Sequence, residues 1–169
     1  MGSSQPLVYV VIINWNNPEV TTNCIRSLQN SNYQNYRVVL IDNSPSEIMK
    51  LLAHEEITDV TYISNQINLG FTGGVNQGME YALKHGADYV WLLNNDVEVP
   101  EECLEILVKE IESDEKIGLI SPIIVDPAKP LNPFYGKNVN IKTGEMLNAF
   151  DKQTYLKWLA SEPWKIELW

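Results

Sequence analysis

Three stretches of the chain deliver polar side chains directly after an apolar run. Asn14 and Asn16 follow "LVYVVII", Asp42 and Asn43 follow "YRVVLI", and Asn94, Asn95 and Asp96 follow "YVWLL". Asp96 points to the most specific chemistry. A hard divalent cation such as Mg²⁺ is usually held by one or two carboxylates together with substrate phosphate oxygens. One carboxylate flanked by amides therefore suits a metal whose remaining ligands come from a diphosphate. Taken alone, Asp96 serves equally well as the start of a turn, and Asp42-Asn43 as a turn or cap before a helix. Three such ends carry more weight than one. In an open parallel sheet, ligands bind beyond the carboxyl ends of the strands, and these residues converge on a single edge.

The glycine segment "NLGFTGGVNQG" (68–78) adds to that edge. It stands before a helical stretch, as an anion-binding loop should. Its spacing is neither the dinucleotide G-x-G-x-x-G nor the P-loop, and no Gly-Lys-Ser/Thr is present. Gly73 and Gly74 would let the backbone approach a ligand closely. The alternative is tight packing of helix on strand, which leaves Asn68 and Asn76 without a role.

The elements that must position these residues follow a repeating pattern. Apolar runs at 7–13, 36–41, 60–63 and 89–93 recur at intervals typical of β-α-β units. The first, second and fourth are nearly continuous, as expected for parallel strands covered on both faces. Between them, Asn17 is placed to cap a helix with Pro18 at its first position, and Val20, Cys24 and Leu28 share one face. "SPSE" (44–47) is a capping box. Residues 74 to 85 predict a helix stopped by Gly86. Leu104, Leu107, Val108 and Ile111 form a helical stripe, and "IGLISPIIV" (117–125) predicts a fifth strand. The expected organisation is an α/β core over 1–125, then a loop at 126–133, a hairpin over 134–150 turning at Lys142-Thr143-Gly144, and a short helix at 152–161.

Bulk properties exclude several classes. The chain has 169 residues and a formal net charge of -10, the opposite of a nucleic-acid footprint. That charge also disfavours docking onto anionic lipid. Cys24 and Cys103 match no metal or redox spacing and are expected to be core fillers. No apolar run approaches the roughly 18 residues of a membrane span. The opening residues lack signal-peptide regions, and Pro6 stands where a myristoylation signal needs Ser or Thr. The expected address is the cytoplasm, including the inner face of the membrane.

"VVIINWNN", "VVLIDNS", "NLGFTGGVNQG" and "WLLNNDV", in this order and spacing, resemble the nucleotide-sugar half of a family 2 glycosyltransferase, in its rhamnosyltransferase-like branch. The resemblance covers roughly residues 7 to 150. It implies a GT-A fold, a Rossmann-like and mostly parallel sheet with helices on both faces. It also implies an inverting transfer from a UDP- or dTDP-sugar to an unknown sugar or lipid-linked acceptor, as in polysaccharide biosynthesis. By the same resemblance, Asn14, Trp15, Asn16, Asp42 and Asn43 lie on the donor site, with Trp15 stacked on the base and Asp42 hydrogen-bonded to it. Asn68, Gly70, Gly73 and Asn76 match the segment near the ribose and donor sugar. Asn94, Asn95 and Asp96 stand at the D-x-D-like position, with Asp96 the ligand of Mn²⁺ or Mg²⁺. Without the resemblance, Trp15 reads as a core residue. The amides at 94 and 95 depart from a strict D-x-D, so metal affinity without nucleotide should be poor.

An inverting transfer also needs a general base, which the family carries in its second half. Glu145, Asp151, Glu162 and Glu167 remain near the end of the sequence, each readable as a solvated surface charge, and none is assigned as the base. The chain is thus expected to be the donor half of a longer enzyme, with an exposed apolar edge prone to self-association. The alternative is a nucleotide-binding module without catalysis, whose acceptor half is absent or supplied by another chain. A continuation of the reading frame carrying a Glu-Asp motif would favour the enzyme.

Overall fold

The computed structural model describes residues 5–44, 52, 57, 59–122, 124, 137–139 and 146–148. It divides into two units, Met1–Glu105 and Ile106–Trp169. In the first, four strands form one sheet: β1 (Val8–Asn14), β2 (Tyr36–Asp42), β3 (Val60–Ser64) and β4 (Tyr89–Leu93). Their order is β3-β2-β1-β4, and every pairing is parallel. The apolar runs form these strands because β1 and most of β2 are covered on both sides, and Val10, Ile12, Val39, Leu40 and Ile41 have no exposed surface. Each such side chain contributes about 1.5–3 kcal/mol on leaving water.

The order also explains why helices lie on both faces. From β1 to β3 the chain steps one way across the sheet, and from β3 to β4 it steps back past β1. Right-handed crossovers running in opposite directions put their helices on opposite faces. The two directions part between β1 and β4, where an open α/β sheet forms its crevice.

α1 (Pro18–Gln29) begins with proline at its first turn, as expected, and buries Thr21, Thr22, Cys24, Ile25 and Leu28. The expected side-chain cap does not form: Asn17 makes no capping hydrogen bond through its side chain. Its carbonyl instead accepts from the Thr21 amide at 3.2 Å and the Thr21 hydroxyl at 2.9 Å.

α2 (Gly70–Lys84) starts four residues earlier than the periodicity predicts, so the glycines lie inside the helix rather than in a loop before it. Glycine costs a helix about 1 kcal/mol relative to alanine. Here close packing outweighs that cost. A Cβ on Gly78 would fall 2.3 Å from Val11 Cγ1, and one on Gly74 would fall 3.2 Å from Ile13 Cγ1. Ala82 of α2 joins Tyr9, Val11, Val39 and Ile41 in one cluster on this face. The helix stops at Gly86, whose φ of +80° suits glycine.

α3 (Cys103–Ile111) buries Leu104, Leu107 and Val108 along the predicted stripe. The fifth strand expected over 117–125 is not found among the described residues. Residues 117–122 form no ladder, and Ile124 makes a single bridge. Pro122 offers no N–H to a ladder, which weakens this run as a strand. The hairpin is present as β5 (Lys137–Val139) paired antiparallel with β6 (Met146–Asn148). Its turn, the capping box at 45–47 and the helix at 152–161 lie outside the described residues.

Candidate functional site

The sheet register brings the polar strand ends together. Asn14 pairs with Asp42, and Asp42 with Ser64. Past the strands the main chain stays joined, the Asn43 amide donating to the Asn14 carbonyl at 2.9 Å and the Asn65 amide to the Asp42 carbonyl at 2.8 Å.

Asp42 lies beneath this edge and has no exposed surface. Its Oδ1 accepts from Asn14 Nδ2 at 2.8 Å, from the Ser44 amide at 3.2 Å and from Ser44 Oγ at 3.1 Å. Its Oδ2 accepts from the Tyr62 hydroxyl at 2.8 Å. A buried carboxylate needs such donors to offset its lost hydration. Burial, and to a lesser degree the neighbouring Asp42 carboxylate, push the Tyr62 hydroxyl above its ordinary pKa, against a lowering hydrogen bond with Ser64.

Asn14 extends the network towards β4. It is fully buried, and its Oδ1 accepts from Thr21 Oγ1 at 2.9 Å. Thr21 Oγ1 in turn accepts from Asn95 Nδ2 at 2.8 Å. On the other side, Asn43 Nδ2 donates to the Gly70 carbonyl at 3.0 Å, and Asn65 Nδ2 to Asn43 Oδ1 at 2.9 Å. Asn65 and Gln77 form a reciprocal amide pair at 2.8 and 3.1 Å. Asn68 Oδ1 accepts from the Gly70 amide at 2.7 Å, a local turn that supports the left-handed φ of +69° at Gly70.

The remaining predicted residues face outward. Trp15 is 60% exposed, so the core reading of this residue does not hold. It is followed by Asn16 at φ 52°, a left-handed conformation that asparagine tolerates. The Asn16 amide is fixed by Ser44 Oγ at 2.9 Å. Asn76, Asn94 and Asp96 are exposed, while Gly73 is half-buried. A Cβ on Gly73 would meet Leu69 Cβ at 2.7 Å. Thr21, Tyr62 and Asn65 join this network from outside the motifs, and Ser44 and Gln77 join it from within motifs that gave them no role.

Behind Asp96 runs α1. Cys24 Sγ donates to the Asn94 carbonyl at 3.4 Å. Burial pushes the thiol up to about 11, with a further rise from the Asp96 charge and a partial offset from a backbone hydrogen bond at Val97. A cleft of about 570 Å³ opens here, walled by Cys24, Ser27, Asp96 and Val99 among others.

Among the described residues, no group of three His, Cys, Asp or Glu side chains could hold a metal ion. Asp96 is a single exposed carboxylate beside two amides. That donor set fits Mn²⁺ or Mg²⁺ only where phosphate oxygens complete the shell. No helix among the described residues is long and apolar enough to cross a membrane.

Comparison with known proteins gives the family and the fold. The model of glycosyl transferase family 2 matches residues 9–163. The galactofuranosyltransferase GlfT1 of Mycobacterium tuberculosis is 27% identical over 128 residues, covering 73% of this chain and 41% of that protein. The low-salt glycan biosynthesis hexosyltransferase Agl10 of Haloferax volcanii is 33% identical over 90 residues, covering 52% of this chain and 28% of that protein. The mannosyltransferase PcManGT of Pyrobaculum calidifontis, solved with GDP-Man and Mn²⁺, superposes with a TM-score of 0.58 at 17% identity, over 75% of this chain and 37% of that one. The S. aureus protein TarS (1–349), solved with UDP-GlcNAc, gives 0.55 at 15% identity, over 70% of this chain and 33% of that one. These structures share the GT-A fold. The chain thus spans well under half the length of the relatives it matches.

Proposed function

The chain belongs to glycosyl transferase family 2, and from that premise we propose that the carboxyl edge of its sheet is the donor site for a UDP- or dTDP-sugar. The observation that carries this reading is the convergence of three polar strand ends at the switch point between β1 and β4, joined by buried hydrogen bonds. In this reading the exposed Trp15 indole stacks on the base. Asn14, Asn16 and Asn43 shape the floor beside it, and Asp42 accepts from the base N–H. For that contact Tyr62 must yield Oδ2, the oxygen it holds at 2.8 Å. Asn68, Gly70, Gly73 and Asn76 line the ribose and sugar, and Asn94, Asn95 and Asp96 meet the diphosphate.

Asp96 would hold Mn²⁺ or Mg²⁺, which when bound neutralises the charge of the departing diphosphate. In the transfer, an acceptor hydroxyl attacks the anomeric carbon as its bond to the diphosphate oxygen breaks. The electron pair leaves with the diphosphate, and the hydroxyl proton passes to a general base. Inversion at the anomeric carbon follows from this single displacement. None of the described residues is assigned as the base. The residues described here bind and orient the donor, and transfer is the activity of the whole protein.

A thermal-shift screen of nucleotide sugars with Mn²⁺ and Mg²⁺ tests the reading, since a ligand of the folded state raises the melting temperature. UDP- or dTDP-sugars should raise it in the presence of metal. Asp96→Asn should remove the metal dependence without changing the unliganded melting temperature. A screen in which no nucleotide sugar shifts the wild type would overturn the assignment.

A further inference from the structure

Thr21 belongs to none of the motifs, yet its hydroxyl joins two strand ends. It has no exposed surface. Its Oγ1 lies 2.9 Å from Asn14 Oδ1 and 2.9 Å from the Asn17 carbonyl, and it receives Asn95 Nδ2 at 2.8 Å. A hydroxyl has one proton and two lone pairs. The proton serves Asn14 or Asn17, and the Asn95 amide occupies a lone pair in both cases.

That contact matters because of where the ladder stops. The pairing of β4 with β1 ends at Ile12 and Leu93. Asn94, Asn95 and Asp96 run on past it. α1 touches this tip through the Thr21–Asn95 hydrogen bond and the weak Cys24 Sγ donation to the Asn94 carbonyl at 3.4 Å, and just beyond it Ser27 Oγ accepts the Val99 amide at 3.0 Å. Thr21 is itself fixed through Asn14 to Asp42, and Asp42 to Tyr62. One hydrogen-bonded relay, buried at Asp42, Asn14 and Thr21 and half-buried at its two ends, therefore spans β3, β2, β1, α1 and the tip of β4.

We propose that Thr21 is a positioning residue, whose buried hydroxyl fixes the Asn95 amide and with it the adjoining Asp96 carboxylate for a metal-bound diphosphate. This rests on the donor-site reading above. Ordering the tip before the ligand arrives lowers the cost of binding. The hydroxyl should thus matter to the metal-dependent part of affinity and not to the base-dependent part.

The test is calorimetric titration of UDP into the full chain, in Mn²⁺ and separately in excess chelator. Wild type should bind more tightly in Mn²⁺. Thr21→Val, nearly isosteric, should lose roughly tenfold of the affinity in Mn²⁺, the scale of one buried hydrogen bond, and change little in chelator. Thr21→Ser should restore the wild-type values. If Thr21→Val keeps the full Mn²⁺ enhancement, or weakens UDP equally in both conditions, Thr21 is a structural residue only and the proposal fails. Should Thr21→Val not fold, Thr21→Ala removes the same hydroxyl with a smaller side chain. Loss of the Mn²⁺ enhancement there supports the proposal, and its retention overturns it. A wild type that binds UDP with no response to Mn²⁺ overturns the metal-site reading, and this proposal with it.

Discussion

The Tyr62 hydroxyl on β3 donates to Oδ2 of the fully buried Asp42 at 2.8 Å, one strand away. It makes to that oxygen the same kind of contact that a pyrimidine N–H would make. If Asp42 reads the base, the two donors compete. Tyr62→Phe should then tighten UDP by up to about fivefold, since a net hydrogen bond of ~1 kcal/mol no longer has to be exchanged. Asp42→Ala should weaken UDP by about 1–3 kcal/mol. Calorimetry on both variants checks this, and a Tyr62→Phe variant that binds UDP worse would show that Tyr62 contacts the nucleotide itself.

Trp15 offers a cleaner separation of binding from stability. At 60% exposure it contributes little to the core. Trp15→Ala should leave the melting temperature nearly unchanged and weaken UDP by about 1–3 kcal/mol, the range for a base stacked on an aromatic ring. A large fall in melting temperature would return Trp15 to a packing role.

Gly78 tests the packing that sets the sheet edge. A methyl group there would fall 2.3 Å from Val11 Cγ1, in the buried centre of β1. Gly78→Ala should destabilise by about 1–3 kcal/mol through overpacking, read by urea denaturation. Adding Val11→Ala should recover part of that loss. Equal losses that simply add would mean that the two residues do not share the space.

The two thiols should be slow to react in the folded chain. Burial pushes both Cys24 and Cys103 up to about 11 from 9.0, so the reactive thiolate is scarce near pH 8. A raised folded pKa favours the protonated form. Its contribution to stability is complete below pH 9 and is lost as pH climbs from 9 to 11. Iodoacetamide labelling at pH 8 should be much slower before than after denaturation, and denaturant midpoints should fall across that pH window.

β1 and β2 were legible because their continuous apolar runs carry the signature of a doubly covered sheet. β4 was found by the same signal but is not doubly covered, since its residues are half-buried and Leu92 is 45% exposed. The run at 117–125 carried a similar signal, yet its described part, 117–122, forms no ladder, since a proline within it cannot complete one. The glycine segment was placed correctly beside the sheet but misread in form. Close packing on Val11 and Ile13 admits glycine to a helix, and that contact is invisible in a single sequence. At the candidate site, Asn14, Asp42 and Asn95 stood out in the sequence because each belongs to a polar stretch directly after an apolar run. Thr21 and Tyr62 were not, since a threonine inside a helix and a tyrosine inside a strand look like packing residues until the fold sets them against Asn14 and Asp42.

The proposed donor site for a pyrimidine nucleotide lies at the edge where Asn14, Asp42 and Asn95 meet. Its most direct test is calorimetric titration of the wild-type chain, in Mn²⁺, with UDP, dTDP, GDP and ADP in turn. UDP or dTDP should bind markedly more tightly than either purine diphosphate. Purine diphosphates binding equally well, or no heat from any of the four, would contradict it.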